Sequence, residues 1–345
     1  MRARPARLFT ALTALVAAGT LAACSGGSPQ SGQSGQPGAA GASLTTQSGG
    51  STSSGEWPRT VAHEKGELKL DAQPQRIVST SISATGTLLA IDAPVVASAA
   101  TSPSNITDDQ GFFSQWSEVA QERGVEVLYP NLEFDMESLI AADPDLVVVS
   151  TSGADSVVDQ YDQIAAQFPT IVVDYSKQTW QDLATELGEA TGHEADAQSA
   201  IDDFDSKVSE AAAKITAPAG GAAIVSFNGP GADQGVAKKT GPHAQLLESL
   251  GVEVHEAPED LDTSERPRSD FAFVTLENLS QAISGDAVFL LSGTPETVAA
   301  FEAEPVLANV AAVNSKKVYP LGPTSFRIDY YSGQQFIDAV VQALG

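Results

Sequence analysis

Six arginines follow the first fifty residues of this chain: Arg59, Arg76, Arg123, Arg266, Arg268 and Arg327. A guanidinium offers a planar fork of donors that can pair two oxygens of one anion. Arg327 follows Leu321-Gly322-Pro323-Thr324, in the loop expected to leave the last strand, and Arg266 and Arg268 flank Pro267 in a loop before a helix. In open α/β sheets, ligands sit outside the carboxyl ends of the strands. Arginines there point to recognition of a planar or multidentate anion. Salt bridging to the abundant carboxylates is the alternative for each one taken singly. Trp116, Trp180, Tyr129, Tyr175, Tyr330 and Tyr331 could line the same cleft, or pack in the core and between lobes. Tyr330-Tyr331 also raises direct ferric-ion binding by two phenolates. Neighbours at a helix start point about 100° apart, however, so inward packing of one is the competing reading.

Enzymatic templates are missing. No G-x-S-x-G elbow lies between a strand and a helix, and there is no G-x-x-x-x-G-K-[ST] loop and no H-E-x-x-H helix. Gly229-Pro230-Gly231 hints at a dinucleotide turn, but the third glycine, Gly235, comes one residue late and Pro230 spoils the helix entry. His63, His193, His243 and His255 are scattered and read as solvated side chains rather than ligands. With 18 Lys+Arg against 44 Asp+Glu, the net charge of −26 disfavours nucleic acid and anionic lipid head groups as partners. The single cysteine, Cys24, excludes an internal disulfide framework and a thiolate metal cluster. A binding protein without a resident cofactor or metal is expected, not an enzyme.

The elements that must position these residues begin late in the chain. Arg2, Arg4 and Arg7 precede an apolar stretch over 8–21, so residues 1–23 read as a secretory signal. Leu21-Ala22-Ala23-Cys24 resembles the bacterial lipoprotein box, in which the cysteine is lipidated and tethers the exported protein to the membrane. Residues 24–56, rich in Gly, Ser and Gln, read as a flexible linker. Strands are expected over 76–80, 94–98, 146–150, 170–174, 222–227, 251–255, 287–291 and 317–321. Runs such as Leu146-Val147-Val148-Val149 carry the continuous apolar character of parallel strands covered on both faces. Helical patterns fall between them, over 84–91, 112–122, 136–142, 156–166 and 178–189. A longer helix runs over 193–215, with Ile201, Phe204, Val208 and Ile215 as its stripe. The expected fold is α/β. Two Rossmann-like lobes with mainly parallel sheets, 57–192 and 217–345, joined by one long helix, 193–216, are expected.

Several segments resemble the periplasmic ferric-enterobactin-binding proteins, which are iron-siderophore receptors of ABC importers. Among them are Gln73-Pro74-Gln75-Arg76-Ile77-Val78-Ser79-Thr80-Ser81, Asp109-Gln110-Gly111-Phe112, Asp143-Pro144-Asp145-Leu146 and, most specifically, Phe326-Arg327-Ile328-Asp329-Tyr330-Tyr331-Ser332. The resemblance covers the chain from Glu56 to its end. It implies two α/β lobes bridged by a rigid helix, a monomer, and delivery of a ferric siderophore to a permease dimer. Iron would be carried inside the ligand. Permease docking through one glutamate per lobe falls on Glu137 and Glu277, although a carboxylate at a helix start is also simply a favourable charge. The resemblance places the ligand cations at Arg327, Arg268 and Arg123. Around Ala237 the family aromatic is replaced by Lys238-Lys239, which adds Lys239 as a candidate contact, and the loop 102–107 lacks the family's arginine. A catecholate ligand of formal charge −3 is expected. A hydroxamate, haem or bare ferric ion in the same fold, and a sensor or enzyme without a transport role, are the alternatives.

Overall fold

A computed structural model describes residues 56–265 and 268–345. The signal segment, Cys24, nearly all of the linker, and Arg266 lie outside the described residues. The N-terminal lobe opens with an antiparallel hairpin of β1 (Arg59–His63) and β2 (Gly66–Leu70). Then follow β3 (Ile77–Ser79), α1 (Ile82–Ala90), β4 (Val95–Ser98), α2 (Ser117–Glu122), β5 (Glu126–Val127) and α3 (Met136–Ala142). The lobe closes with β6 (Leu146–Ser150), α4 (Tyr161–Ala165), β7 (Thr170–Val173) and α5 (Trp180–Thr191). The five strands β3–β7 form a parallel sheet in the order β5-β4-β3-β6-β7. All five residues of β6 are buried, as its unbroken apolar run requires when helices cover both faces. The order reverses between β3 and β6, which opens a crevice outside their carboxyl ends.

The C-terminal lobe repeats this order. Its elements are β8 (Ala222–Ser226), β9 (Gln234–Ala237), α7 (Pro242–Ser249), β10 (Phe271–Val274), α8 (Leu276–Ala282) and β11 (Ala287–Leu290). After them come α9 (Pro295–Ala303), α10 (Ala311–Asn314), β12 (Val318–Pro320) and α11 (Tyr330–Leu344). The sheet runs β10-β9-β8-β11-β12, with β8, β11 and β12 parallel and β9 antiparallel to both its neighbours. Its reversal lies between β8 and β11. The expected strand over 251–255 is reduced to one bridge, between Val254 and Ala222. The carboxyl half of β8 pairs with β9 instead, so 251–255 gains no ladder.

The joining helix is α6 (Glu194–Ala212), shorter at its C-terminus than the expected 193–216. Its 19 residues span about 28 Å. Beyond it the chain leaves the helix and Thr216 donates its amide to the carbonyl of Leu344, at the end of α11. Two apolar clusters lie within single lobes, one per sheet. A third is shared, and joins Ile77, Leu183 and Phe204 to Ile224, Phe289 and Phe336. Through it α11 packs on α6, so a second helix ties the lobes together.

Candidate functional site

Arg327 lies beyond the carboxyl end of β12 and reaches residues beyond the carboxyl ends of β3 and β7 in the other lobe. The short 3-10 turn Pro323–Phe326 after β12 presents it, and the turn is pinned twice. Ser325 Oγ accepts the amide of Ser292, just past β11, and the carbonyl of Ser325 lies 2.9 Å from Nε2 of buried His243 on α7. From there Arg327 reaches the other lobe. Nη1 donates to the carbonyl of Ser83 at 3.2 Å, and the guanidinium carbon lies 4.6 Å from the centre of the Tyr175 ring. Ser83 is in the first turn of α1, after β3, and Tyr175 follows β7.

Beneath these residues lies Asp155, 5% exposed, in the loop after β6. One carboxylate oxygen accepts the Ser81 hydroxyl at 2.6 Å and the Ser83 amide at 2.9 Å; the other accepts the Tyr175 hydroxyl at 2.8 Å. Burial, and then the Asp155 charge, push the Tyr175 hydroxyl above its ordinary range, so it stays protonated and donates. Gln115 donates to Asp329 Oδ2 at 3.0 Å, and Phe113 meets Phe326 edge-on at 5.1 Å. Arg327 thus stands where the two lobes touch.

Charge pairing separates Arg327 from most other described arginines. Arg59 pairs with Glu194, Arg123 with Asp92 and Arg268 with Asp270. Arg76 donates to the backbone carbonyls of Ala142 and Asp143 on the surface. Arg327, half-buried between the lobes, meets no carboxylate among the described residues. Its charge and most of its donors are available to an anion.

The other expected contacts are dispersed. Arg123 sits beside the amino-terminal ends of the first sheet, because Asp92 lies between the end of α1 and the start of β4. In a parallel unit that end is opposite the ligand crevice, so Arg123 does not share the site of Arg327. Trp116 is 1% exposed and packs on Gly86 of α1, where an added Cβ would come 2.8 Å from its ring. Trp180 is buried edge-on against Phe204 and Tyr330. Tyr129 is buried and donates its hydroxyl to the Thr80 carbonyl at 3.1 Å. These three rings are packing groups, because the apolar contact they gain by burial exceeds what a wet cleft offers. Burial also pushes Tyr331 up to about 12, which disfavours a phenolate pair for iron.

Arg268 is exposed and doubly bonded to Asp270, at 2.8 and 2.6 Å. Lys239 is exposed, with Glu248 at 3.8 Å. Their recorded partners are all in the C-terminal lobe. Glu137 and Glu277 are exposed in the first turns of α3 and α8. Sequence reasoning named Tyr175 and missed Asp155 and Ser83. The signal for both was positional, since Asp155 lies in the loop after β6 and Ser83 in the helix start after β3, on either side of the reversal of strand order. Among the described residues no cluster of His, Cys, Asp and Glu is arranged to hold a metal ion, and no helix is long and apolar enough to cross a membrane.

The family model described as periplasmic binding protein matches residues 77–324. The ferric enterobactin-binding periplasmic protein FepB of Escherichia coli O6:H1 is 40% identical over 291 residues, which is 84% of this chain and 91% of FepB. The crystal structure of holo-ViuP matches with a TM-score of 0.76 and 41% identity, over 84% of this chain and 96% of that one. Staphylococcus aureus SirA, complexed with staphyloferrin B, matches in fold with a TM-score of 0.60 at 19% identity, over 83% and 98% of the two chains.

Proposed function

The chain belongs to the periplasmic binding protein family, and on that premise we propose that it captures a ferric siderophore and delivers it to an ABC permease. The cargo in this reading is an anionic catecholate complex of the enterobactin kind, with iron held wholly by the siderophore. The carrying observation is Arg327, a half-buried guanidinium after β12 that reaches Ser83 and Tyr175 of the other lobe and pairs with no carboxylate among the described residues. In a chain of net charge −26 three of the other described arginines are taken by carboxylates, whereas Arg327 keeps its charge for an incoming anion. The similarity to FepB supports the same class of cargo. Arg268 and Lys239 contribute from the rim once they exchange their surface carboxylates for ligand oxygens, which costs little because exposed pairs are weak. The protein binds and releases without turnover. Export, lipidation of Cys24 and tethering by the linker would hold it near the permease.

The test is a fluorescence titration of the purified protein with ferric enterobactin. Quenching of Trp57, Trp116 and Trp180 should report binding, because the ferric catecholate absorbs broadly. Arg327→Ala should weaken binding about ten- to a hundredfold, the worth of a charge-assisted hydrogen bond. Unchanged affinity in that variant would remove the arginine from the site, and a response to neutral hydroxamate complexes alone would reject the catecholate.

A further inference from the structure

The contacts around Arg327 close into a ring that crosses between the lobes. Asp155 accepts the amide of Ser83, and the carbonyl of Ser83 accepts Nη1 of Arg327. The guanidinium lies over the face of Tyr175, and the hydroxyl of Tyr175 returns to Asp155. Each of the four residues comes from a loop or helix start beyond the carboxyl end of a different strand: β3, β6, β7 and β12. No one segment could assemble the ring alone.

Its chemistry is unusual for a buried carboxylate near an arginine. Direct pairing would be the simplest outcome, and it would consume the guanidinium fork bidentately. Here both oxygens of Asp155 are filled by three neutral donors, and one aromatic ring separates the two charges. A phenol that donates to a carboxylate is polarised toward phenolate, which enriches the face against which the cation rests. Arg327 is thereby held by a ring face and one carbonyl. Only Nη1 has a protein acceptor among the described contacts.

The backbone protects the arrangement. Gly153, at φ +83°, passes so close to the hydroxyl of Tyr175 that an added Cβ would collide with it and would come 2.6 Å from Asp155 Oδ1. The loop between β6 and α4 therefore wraps the very oxygen that links Asp155 to Tyr175.

We propose that Asp155 and Tyr175 are positioning residues, which orient the Arg327 guanidinium and keep its donors unspent so that the cleft selects an anionic ligand. This deepens the reading of Arg327 as the ligand cation and rests on it. Asp155 supplies the fixed charge, Tyr175 carries it to Arg327 without pairing, and Ser83 sets the height of the guanidinium over the ring. Replacing the phenol by a benzene ring keeps the packing and cuts the link.

The experiment is a double-mutant cycle on the full-length protein, with ferric enterobactin as probe and affinity read by fluorescence. Tyr175→Phe should bind about five- to tenfold more weakly than the parent. In an Arg327→Ala background the same substitution should cause no further loss. A merely structural clasp would give the same loss in both backgrounds, and that result would overturn the proposal while leaving Arg327 as a ligand residue. No loss in the parent background would overturn it too. If Arg327→Ala itself binds like the parent, the ligand reading fails first and takes this one with it. Asp155→Asn should repeat the coupling. Should that variant not fold, Tyr175→Phe carries the test alone, since it removes one oxygen from a half-buried side chain.

Discussion

Arg327 could be singled out before any coordinates because arginines are scarce here and loops at strand ends are where ligands gather. Arg123 looked equivalent by charge and is not. Whether a loop residue sits at the amino or the carboxyl end of a sheet depends on strand pairing, which charge does not encode. Asp155 was hidden for a different reason: among 44 acids, one buried carboxylate looks like any other. His243 illustrates the same limit and yields a prediction. It read as a surface residue, yet it is buried against Phe271 and Phe336 and pinned to the Ser325 carbonyl that positions the Arg327 turn. Burial lowers it to about 4, from an ordinary value of 6.5, despite the opposing pull of Ser325 and Asp270. The unfolded chain then takes up a proton first as pH falls. Stability from this group is full above pH 6.5 and is lost as pH falls toward about 4. Unfolding by urea should show a loss of about 2–3 kcal/mol between pH 7 and 4.5. In His243→Gln most of that slope should vanish. A smaller slope of the same sign should persist from His63, which burial also lowers. An unchanged slope would show that His243 titrates normally.

At the scale of elements, what was legible was what is local. β6 has the boundaries expected from its sequence, and α3 likewise, because an unbroken apolar run and an Asp135 cap need no distant partner. β9 and β10 were not expected, because they form by antiparallel pairing of distant segments, β9 standing between β8 and β10. The role of α11 was also out of reach, because its meaning depends on α6. Gly333 of α11 faces the Phe204 ring, where an added Cβ would come within 2.7 and 2.8 Å of two ring carbons. Phe204 in turn stacks edge-on with Trp180 at 5.0 Å, so three helices meet at one glycine. Phe204→Ala should destabilise by about 3–5 kcal/mol, the usual cost of emptying a buried phenylalanine site. Gly333→Ala alone should cost about 1–3 kcal/mol through overpacking. The two should not add. With Phe204 removed the clash is gone, and alanine is favoured over glycine inside a helix by roughly 1 kcal/mol. Gly333→Ala should then be neutral or stabilising in the Phe204→Ala background, as read by urea unfolding. Simple additivity would mean that α11 does not rest on Phe204.

For the whole molecule, the two lobes share a strand order that no sequence repeat announces. Each sheet ends in an edge strand, β5 or β10, and the next helix, α3 or α8, carries a glutamate at its second position. Glu137 and Glu277 are therefore topological counterparts, both exposed. Apolar surface accompanies each. Ile140, 47% exposed, lies one turn beyond Glu137 on α3, and the 3-10 turn Pro305–Leu307, which holds exposed Val306, packs against α8. If the proposed delivery role holds, a surface with one acid and one apolar contact per lobe would suit a two-fold permease that offers a cation to each glutamate. Exposed ion pairs contribute only about 0–1 kcal/mol each, so the glutamates would fix registration and encounter rather than tightness. Reversing both charges should then separate capture from delivery. Glu137→Lys with Glu277→Lys should leave ferric-enterobactin affinity and the thermal midpoint close to the parent, since neither residue touches Arg327 or a core cluster. Cellular uptake of the iron complex should collapse, because each lobe would present a cation to a cationic pocket. Normal uptake would make the glutamates ordinary helix-start charges, whereas loss of binding as well as uptake would place them in the ligand site or the fold.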